Sequence, residues 1–465
     1  MGRSAADGRD YGGGPGPIGL GAGPRICGDG AGVLWRSEAH MKVFYQISWG
    51  RGFSWARGCG VSVRVAALFL GWSGGGARAE WPQWRGPERT GEVKGAPWPG
   101  DLAKLEAAWE VPLGPSYSGP IISKRLVFTT ESVDKRLERV HAVDRATGKS
   151  VWTAEWEGHQ GVPFFAARNG DWIRSTPAWD GKDLFVAGMR DVLVSLDGAT
   201  GKENWRVDFV AQFKKPAPGF GFVCSPLLDG EFIYVQAGAA LCKLEKASGK
   251  VVWRALEEKG AAMDSAFSSP FLTTVNGQRQ LLVQTREKLC GVDPSTGTVL
   301  WSQVIKAFRG MNIQTPVIQG NRIFTTAYQG LSQGWDLSTS AGSPGVALAW
   351  EEKAEGYMST PVVVGGKVFL HLRNKKFTCL DLATGKEAWT TERKFGEYWS
   401  LVNQGDKLLA LDQNGSLYLI EADSAAFKLL AEKKISESET WAHVAVDGDF
   451  IAIRALDKLL AFRWR

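Results

Sequence analysis

The sequence predicts an all-β chain folded as an eight-bladed β-propeller of four-stranded antiparallel blades, with seven blades as the fallback. Three observations predict it. The first is a small-residue turn followed by Trp: Ala146-Thr-Gly-Lys-Ser-Val-Trp152, Ala199-Thr-Gly-Lys-Glu-Asn-Trp205, Ala247-Ser-Gly-Lys-Val-Val-Trp253, Ser295-Thr-Gly-Thr-Val-Leu-Trp301 and Ala383-Thr-Gly-Lys-Glu-Ala-Trp389, with a degenerate copy ending at Trp350. Successive Trp residues stand 53, 48, 48, 49 and 39 apart, a period that belongs to solenoids and propellers. The second is strand content: each period divides into short β-branched and aromatic runs, and no ten-residue stretch shows a helical period. The third is a mismatch at the two ends, where three strands at the C-terminus lack the fourth that the N-terminus has to spare.

Residues 174–209 serve as the type unit. Ser175–Trp179 is a first strand, Asp180-Gly181 its hairpin turn, and Leu184–Ala187, Val192–Leu196 and Asn204–Asp208 the second to fourth strands. One such meander cannot cover both faces, so it must stack on neighbours around an axis. An acidic residue stands four before each turn Gly, at Asp144, Asp197, Glu245, Asp293 and Asp381; it accepts the N–H groups of the turn, while Gly148, Gly201, Gly249, Gly297 and Gly385 supply positive φ. Trp152, Trp205, Trp253, Trp301 and Trp389, in the outermost strand, fill the wedge that widens between blades away from the axis. First strands near the axis must be small, and they begin Gly119-Pro, Thr176-Pro, Ser225-Pro, Ser269-Pro, Thr315-Pro and Thr360-Pro.

The units fall at 118–157, 174–209, 222–257, 267–305, 313–352, 358–392 and 399–432. The last of these is divergent and lacks the Trp. Strands near Trp441–Val446, Phe450–Arg454 and Leu459–Trp464 then need the N-terminal orphan Ala107–Leu113 to make the eighth blade, which leaves no open sheet edge.

The ends of the chain differ from this body. Residues 1–40 are Gly-, Pro- and Arg-rich and read either as sequence upstream of a true start at Met41 or as a disordered tail. Residues 41–79 carry basic residues, the apolar run Val65–Trp72 and Ala77-Arg-Ala79, the pattern of a secretory signal cleaved after Ala79. Residues 80–106 form an N-terminal extension and 107–465 the propeller. The net charge of +6 sits almost wholly in the first 79 residues; 80–465 carries 46 basic against 45 acidic residues, which argues against a nucleic-acid face. The expected location is periplasmic or secreted, with no transmembrane segment in the mature chain.

The turn Ala142-Val-Asp144-Arg-Ala-Thr-Gly148-Lys-Ser-Val-Trp152 resembles the PQQ-type propeller repeat, a family that includes quinoprotein dehydrogenases and BamB-type outer-membrane assembly propellers. The resemblance covers about 107–465 and is specific for fold; the turn is structural, and enzymes and scaffolds share it. The opening Trp81-Pro-Gln-Trp84-Arg-Gly-Pro87 also resembles the start of secreted propellers of this kind. Quinoprotein dehydrogenases of the fold carry a disulfide between adjacent cysteines over the cofactor, and this chain has no Cys-Cys pair. BamB-type members are usually lipid-anchored, and Trp55-Ala-Arg-Gly-Cys59 is no lipobox.

No catalytic constellation stands out, and no metal site: neither a Ser/His/Asp ordering, a phosphate loop nor a calcium loop is present. Cys224, Cys242, Cys290 and Cys379 read as buried thiols, with a disulfide as the alternative that export allows. His371 reads as packing; His159 and His443 stand near the connections that enter first strands. Those connections are long and rich in aromatics and cations. Phe164, Phe165, Arg168, Trp172, Arg174, Phe220, Arg309, Asn312, Tyr357, Trp399 and Trp441 form the candidate site, a recognition patch for a protein, peptide or ring-bearing ligand. The other reading is that the same aromatics only fill the funnel. The expected function is an exported, non-catalytic binding or scaffold module, with an envelope protein or peptide as partner and no cofactor. The alternative is a quinoprotein oxidoreductase or a degenerate relative holding PQQ, with Arg168, Arg174 and Arg309 on its carboxylates and Trp172 or Trp399 on its ring. A carbohydrate-active propeller would need a close carboxylate pair, for which Asp171 and Glu397 are the candidates.

Overall fold

The computed structural model describes residues 80–260, 265–340 and 343–465. The tail and signal-peptide readings of residues 1–79 lie outside the described residues. The eight sheets are four-stranded and antiparallel. Blade 1 comprises Ile121–Ile122, Leu126–Val133, Leu137–Asp144 and Ser150–Glu157, and blade 2 Ala178–Trp179, Asp183–Gly188, Val192–Asp197 and Glu203–Asp208. Blades 3 to 7 repeat the order with first strands at Leu227–Asp229, Phe271–Val275, Val317–Gln319, Val362–Val364 and Trp399–Gln404. Blade 8 has Ala445–Asp447, Phe450–Ala455 and Lys458–Trp464 from the C-terminus, and its outer strand is Leu105–Pro112. That strand pairs antiparallel with Lys458–Trp464, Leu105 opposite Trp464 and Pro112 opposite Lys458. The ring is therefore closed by both ends of the chain, with eight blades. Two strand limits differ from expectation: the first strand of blade 2 is only Ala178–Trp179, and that of blade 8 starts at Ala445, leaving Trp441 in the connection before it. Pro177 has no N–H to lend a ladder, which shortens the former.

The turns work as the sequence requires. Asp144 Oδ1 accepts from Ala146 N (3.1 Å), Thr147 N (2.9 Å) and Thr147 Oγ1 (2.8 Å), and Gly148 has φ +71°. The Gly is needed for a second reason. A Cβ on Gly201 would lie 2.5 Å from the Trp152 ring of the preceding blade, and one on Gly249 2.6 Å from Trp205. Each indole also donates across the seam: Trp152 to Gly198 O (2.9 Å), Trp205 to Lys246 O (2.8 Å), Trp253 to Ser295 O (3.2 Å), Trp350 to Leu382 O (3.0 Å) and Trp389 to Asp423 O (2.9 Å). Trp109 of the closing strand does the same to Arg145 O (3.0 Å). Trp301 is the exception: it bonds Gln280 Oε1 within its own blade (2.8 Å). Blade 5, which it faces, lacks the Asp/Glu-x-x-Thr/Ser-Gly sequence of the regular turns; its outer hairpin runs on to the pairing of Ser340 with Ser343.

At the hub the Ser/Thr-Pro strand starts do more than save space. Gly119 N donates to Thr176 Oγ1, Thr176 N to Ser225 Oγ, Ser225 N to Ser269 Oγ, Ser269 N to Thr315 Oγ1 and Thr315 N to Thr360 Oγ1, at 2.9–3.4 Å. Each hydroxyl thus ties its blade to the one before it, from blade 1 to blade 6.

The N-terminal extension crosses the hub from the face that carries the outer turns. Trp81 bridges Ile122, Trp179 N donates to Pro82 O (2.7 Å), Leu228 N to Gln83 Oε1 (3.3 Å), and Glu92 bridges Asn403. Between these points two arginines are buried in the axis, Arg85 at 1% and Arg89 at 2% exposure. Arg85 donates to Thr360 O (3.1 Å), Pro361 O (2.8 Å) and Leu401 O (3.4 Å), joining blades 6 and 7 beside the bond from Trp399 N to Ser359 Oγ (2.8 Å). Arg89 donates to Pro226 O (2.6 Å) and Ser225 O (3.0 Å) of blade 3. Burial pulls their pKa values down to about 9 and about 10, so both stay cationic at neutral pH. Among the described residues no helix is long and apolar enough to cross a membrane.

Candidate functional site

On the face opposite the outer turns, the connections into the first strands and the second-to-third-strand hairpins surround a funnel of about 920 Å³. The size suits a ligand pocket. Its floor is Trp84, carried there by the N-terminal extension, with the guanidinium carbons of Arg85 and Arg89 at 5.6 and 5.3 Å from its ring centroid and His443 edge-on at 5.7 Å. Tyr117, Phe165, Phe220, Phe267, Phe308, Tyr328, Tyr357, Tyr398 and Trp441 line the wall, together with Arg174, Arg286, Arg309 and one carboxylate, Glu287.

The rings form three tracks. Phe267, Phe220, Phe165 and Phe164 follow one another at 5.4, 6.3 and 5.6 Å between centroids. Trp172 packs on Tyr117 (5.1 Å), which touches Trp441 (5.6 Å), itself stacked on Tyr398 (5.9 Å, 11°). Tyr328 joins Phe308 (6.0 Å) and Tyr357 (4.9 Å). Burial pushes the Tyr117 phenol up to about 12 and raises Tyr357 and Tyr398, so these hydroxyls remain neutral. Arg174 lies 5.1 Å over Tyr117 and donates to Gly170 O (2.7 Å); burial lowers its pKa. Arg309 stands over Phe308 (5.1 Å) in a left-handed backbone, φ 52°, that non-glycine residues rarely adopt outside functional or tightly constrained turns. His443 Nδ1 is 3.1 Å from Val444 O; desolvation, with Arg85 nearby, drops its pKa to about 3, so its imidazole is neutral.

Six of the eleven residues singled out in the sequence line the funnel: Phe165, Arg174, Phe220, Arg309, Tyr357 and Trp441. Five are placed elsewhere. Phe164 stands on the rim, 91% exposed, and Arg168 points to solvent beside it. Trp172 backs Tyr117 from behind. Asn312 is 2% exposed and donates to Arg286 O (2.9 Å), fastening its connection to the neighbouring hairpin. Trp399 is a core residue: it opens the first strand of blade 7, is fully buried, donates to Asp412 Oδ2 (2.8 Å) and stacks on His371 (5.1 Å). Its apolar neighbours on both blades take the whole ring, and nothing is left to face the funnel. Of the two histidines near the connections His443 lines the funnel, while His159 pairs with Asp171 (3.6 Å). Neither Asp171 nor Glu397 is in the funnel wall. The four cysteines are buried free thiols. Trp84, Tyr117, Phe267, Arg286 and Tyr328 line the funnel without having been singled out in the sequence; Trp84 lies in the extension, whose Trp-Pro-Gln-Trp-Arg motif has no repeat partner.

The arrangement offers stacking surfaces, cations and one carboxylate. It holds no nucleophile–base pair, and among the described residues no group of three His, Cys, Asp or Glu is placed to hold a metal ion. The PQQ alternative fits poorly. Arg174 and Arg309 face the cavity, but Arg168, Trp172 and Trp399 do not, no two cysteines are adjacent, and Glu287 is the lone carboxylate. No redox step follows from these residues.

Among solved structures, the fold is similar to BamB from Moraxella catarrhalis (TM-score 0.57, 13% identity, 78% of this chain and 98% of that one) and to quinohemoprotein alcohol dehydrogenase from Comamonas testosteroni (TM-score 0.60, 14% identity, 83% and 81%). At such identities these likenesses speak for the fold alone. In sequence the chain is 23% identical over 267 residues to the outer membrane protein assembly factor BamB of Yersinia pestis, covering 53% of this chain and 63% of that protein's length, so just under two thirds of that relative is matched. It is 22% identical over 366 residues to that of Moranella endobia, covering 76% and 88%. The family model described as outer membrane protein assembly factor BamB matches residues 106–391, more than half of the chain and all of the regular blades, and the chain belongs to that family.

Proposed function

We propose that this protein is an exported, non-catalytic binding and scaffold module of the cell envelope, serving outer-membrane protein assembly through its funnel face. The observation that carries the reading is the funnel itself: aromatic, cationic, closed at the bottom by Trp84 and open toward solvent. Such a surface offers buried anchors within a polar rim, the usual anatomy of a protein-recognition site. Family membership supports the process, and the expected signal at 41–79 supports export. The outer turns, by contrast, are saturated with their own hydrogen bonds and have little left to give a partner.

The test is a photo-crosslinking amino acid at Phe165, which is half-exposed on the funnel wall. In the native organism the reading expects a covalent adduct with an envelope protein of the outer-membrane assembly machinery, and a mature N-terminus at Glu80. Failure of any adduct to form, or saturable PQQ binding near one equivalent by calorimetry, would contradict it.

A further inference from the structure

We infer that the funnel receives an acidic, aromatic-bearing polypeptide segment of its partner, inserted end-on and leaving over the Phe164 rim. This rests on the funnel-face reading and names the chemistry of its occupant.

Charge is the first argument. Every hydrogen-bond acceptor of Arg85 and Arg89 among the described residues is a backbone carbonyl or the Gln83 amide oxygen, so two cations sit under the floor without a bonded carboxylate. Arg174, Arg286 and Arg309 add charge on the wall, where Glu287 is the one lining carboxylate, with Asp171 behind Arg174 and Glu439 bonded to Trp441. Low-dielectric walls focus such a field into the cavity, where it favours carboxylates.

Length is the second. An ion or compact ring confined to the funnel would leave the last member of the aromatic track, Phe164, uncovered, yet this ring stands 91% exposed and packs only edge-on against Phe165. Because Phe164 continues the aromatic track out of the funnel, the apolar patch is contiguous, and an occupant must reach the rim to cover it. The spacing fits a chain. Same-face side chains of an extended segment recur about every 6.5–7 Å, and the rings from Phe267 to Phe164 stand 5.4–6.3 Å apart. Alternate apolar side chains would meet successive rings, while the carboxylates between them turn to Arg174 and Arg309.

The blind floor gives the third. Because Trp84 stops the channel, nothing threads through; a segment must end at or double back from the tryptophan. His443 beside it presents a buried Nε2 with no hydrogen-bond partner, a neutral acceptor available to an N–H or O–H at the segment's tip.

The experiment is titration calorimetry of the full chain with an N-acetylated octapeptide of alternating Glu and Phe, its Lys-for-Glu counterpart, and naphthalene-2,6-dicarboxylate as a compact aromatic dianion. The acidic peptide should bind one to one and weaken as salt rises, while the Lys peptide should not bind. Arg309→Glu should weaken it at least about 10-fold and Phe164→Ala about 3- to 10-fold; both side chains are exposed, so folding should be unaffected. The inference is overturned if the acidic peptide does not bind, if the Lys peptide binds equally, or if the dicarboxylate binds as tightly and Phe164→Ala is silent. Should the peptide fail while crosslinks from Phe165 persist, the occupant is wrong and the funnel-face reading survives; should both fail, neither stands.

Discussion

The rim and the hub of this ring solve one problem, holding wedge-shaped blades together, in two ways. At the rim the tie is a neutral indole laid on the next blade's turn glycine and bonded to that turn's carbonyl. At the hub it is a hydroxyl accepting the previous blade's N–H. Both ties come from the repeat, and neither runs unchanged round the ring. The rim tie fails between blades 4 and 5, where Trp301 turns back onto Gln280, and between blades 7 and 8, where the outer strand Lys428–Lys434 has no Trp. The hub chain reverses after Thr360, where Ser359 Oγ accepts from Trp399 N of the next blade and Ser400 Oγ from Val444 N, and there Arg85, from outside the repeat, also spans blades 6 and 7. A hydroxyl tie makes one bond, whereas the guanidinium bonds three carbonyls of two blades at once, so its loss removes more than any single tie does.

This contrast orders the expected effects. Arg85→Ala strips donors from buried carbonyls of Thr360, Pro361 and Leu401 and leaves a cavity at the axis, so it should cost about 3–5 kcal/mol and lower the thermal midpoint more than any single rim change. An Arg85→Ala protein as stable as the parent would remove the hub from the argument. Gly201→Ala comes next: its φ is +74° and its Cβ would meet Trp152 at 2.5 Å, a loss of about 2–3 kcal/mol. Gly230→Ala, with φ +53° and nothing within 4 Å, should lose about 1 kcal/mol, and equal losses at the two positions would show that the indole contact adds nothing.

A third seam tie answers to pH. Glu138 of blade 1 accepts from Met189 N of blade 2 (2.6 Å) and Trp156 Nε1 (2.7 Å), and burial raises its pKa to about 7. The folded chain therefore keeps a proton that the unfolded chain releases between about 4.5 and 7. Its contribution is full below the unfolded value and is lost as pH rises through 7, on the order of 3 kcal/mol. Glu138→Gln should flatten that part of the stability-versus-pH curve; an unchanged slope would assign it to Asp191, whose pKa burial also raises to about 7. The smallest effect is at the indole nitrogens. Trp152→Phe should cost about 1 kcal/mol across a seam and Trp301→Phe a similar amount within one blade; hydrogen exchange at the blade 2 turn should quicken only in the first.

What the sequence made legible follows the same division. Asp144, Gly148 and Trp152 recur with their spacing, so the turn, the blade and the count of eight could be read from the pattern, down to the closing strand near Ala107–Leu113. The funnel was legible only as composition. Phe165, Phe220 and Arg309 stood out because the connections holding them are long and aromatic, but Trp399 looks the same one residue past Tyr398, and only strand pairing decides that it turns into the core. Trp84 and its arginines were hidden for the opposite reason: 81–91 has no repeat partner, and its place in the axis depends on carbonyls more than 130 residues away. The Ser/Thr-Pro starts were seen as small; that their hydroxyls link blades is a matter of orientation, which spacing does not carry.

Recognition through the funnel face, and not the outer rim, can be checked at two positions. Paired photo-crosslinkers test it most directly, one at Phe164 on the funnel rim and one at Val252, an exposed apolar position on an outer strand. A discrete adduct with an envelope assembly protein is expected from Phe164, lost when Arg309→Glu is added, and none from Val252. An adduct from Val252 with none from Phe164 would place recognition on the sheet edge and contradict it.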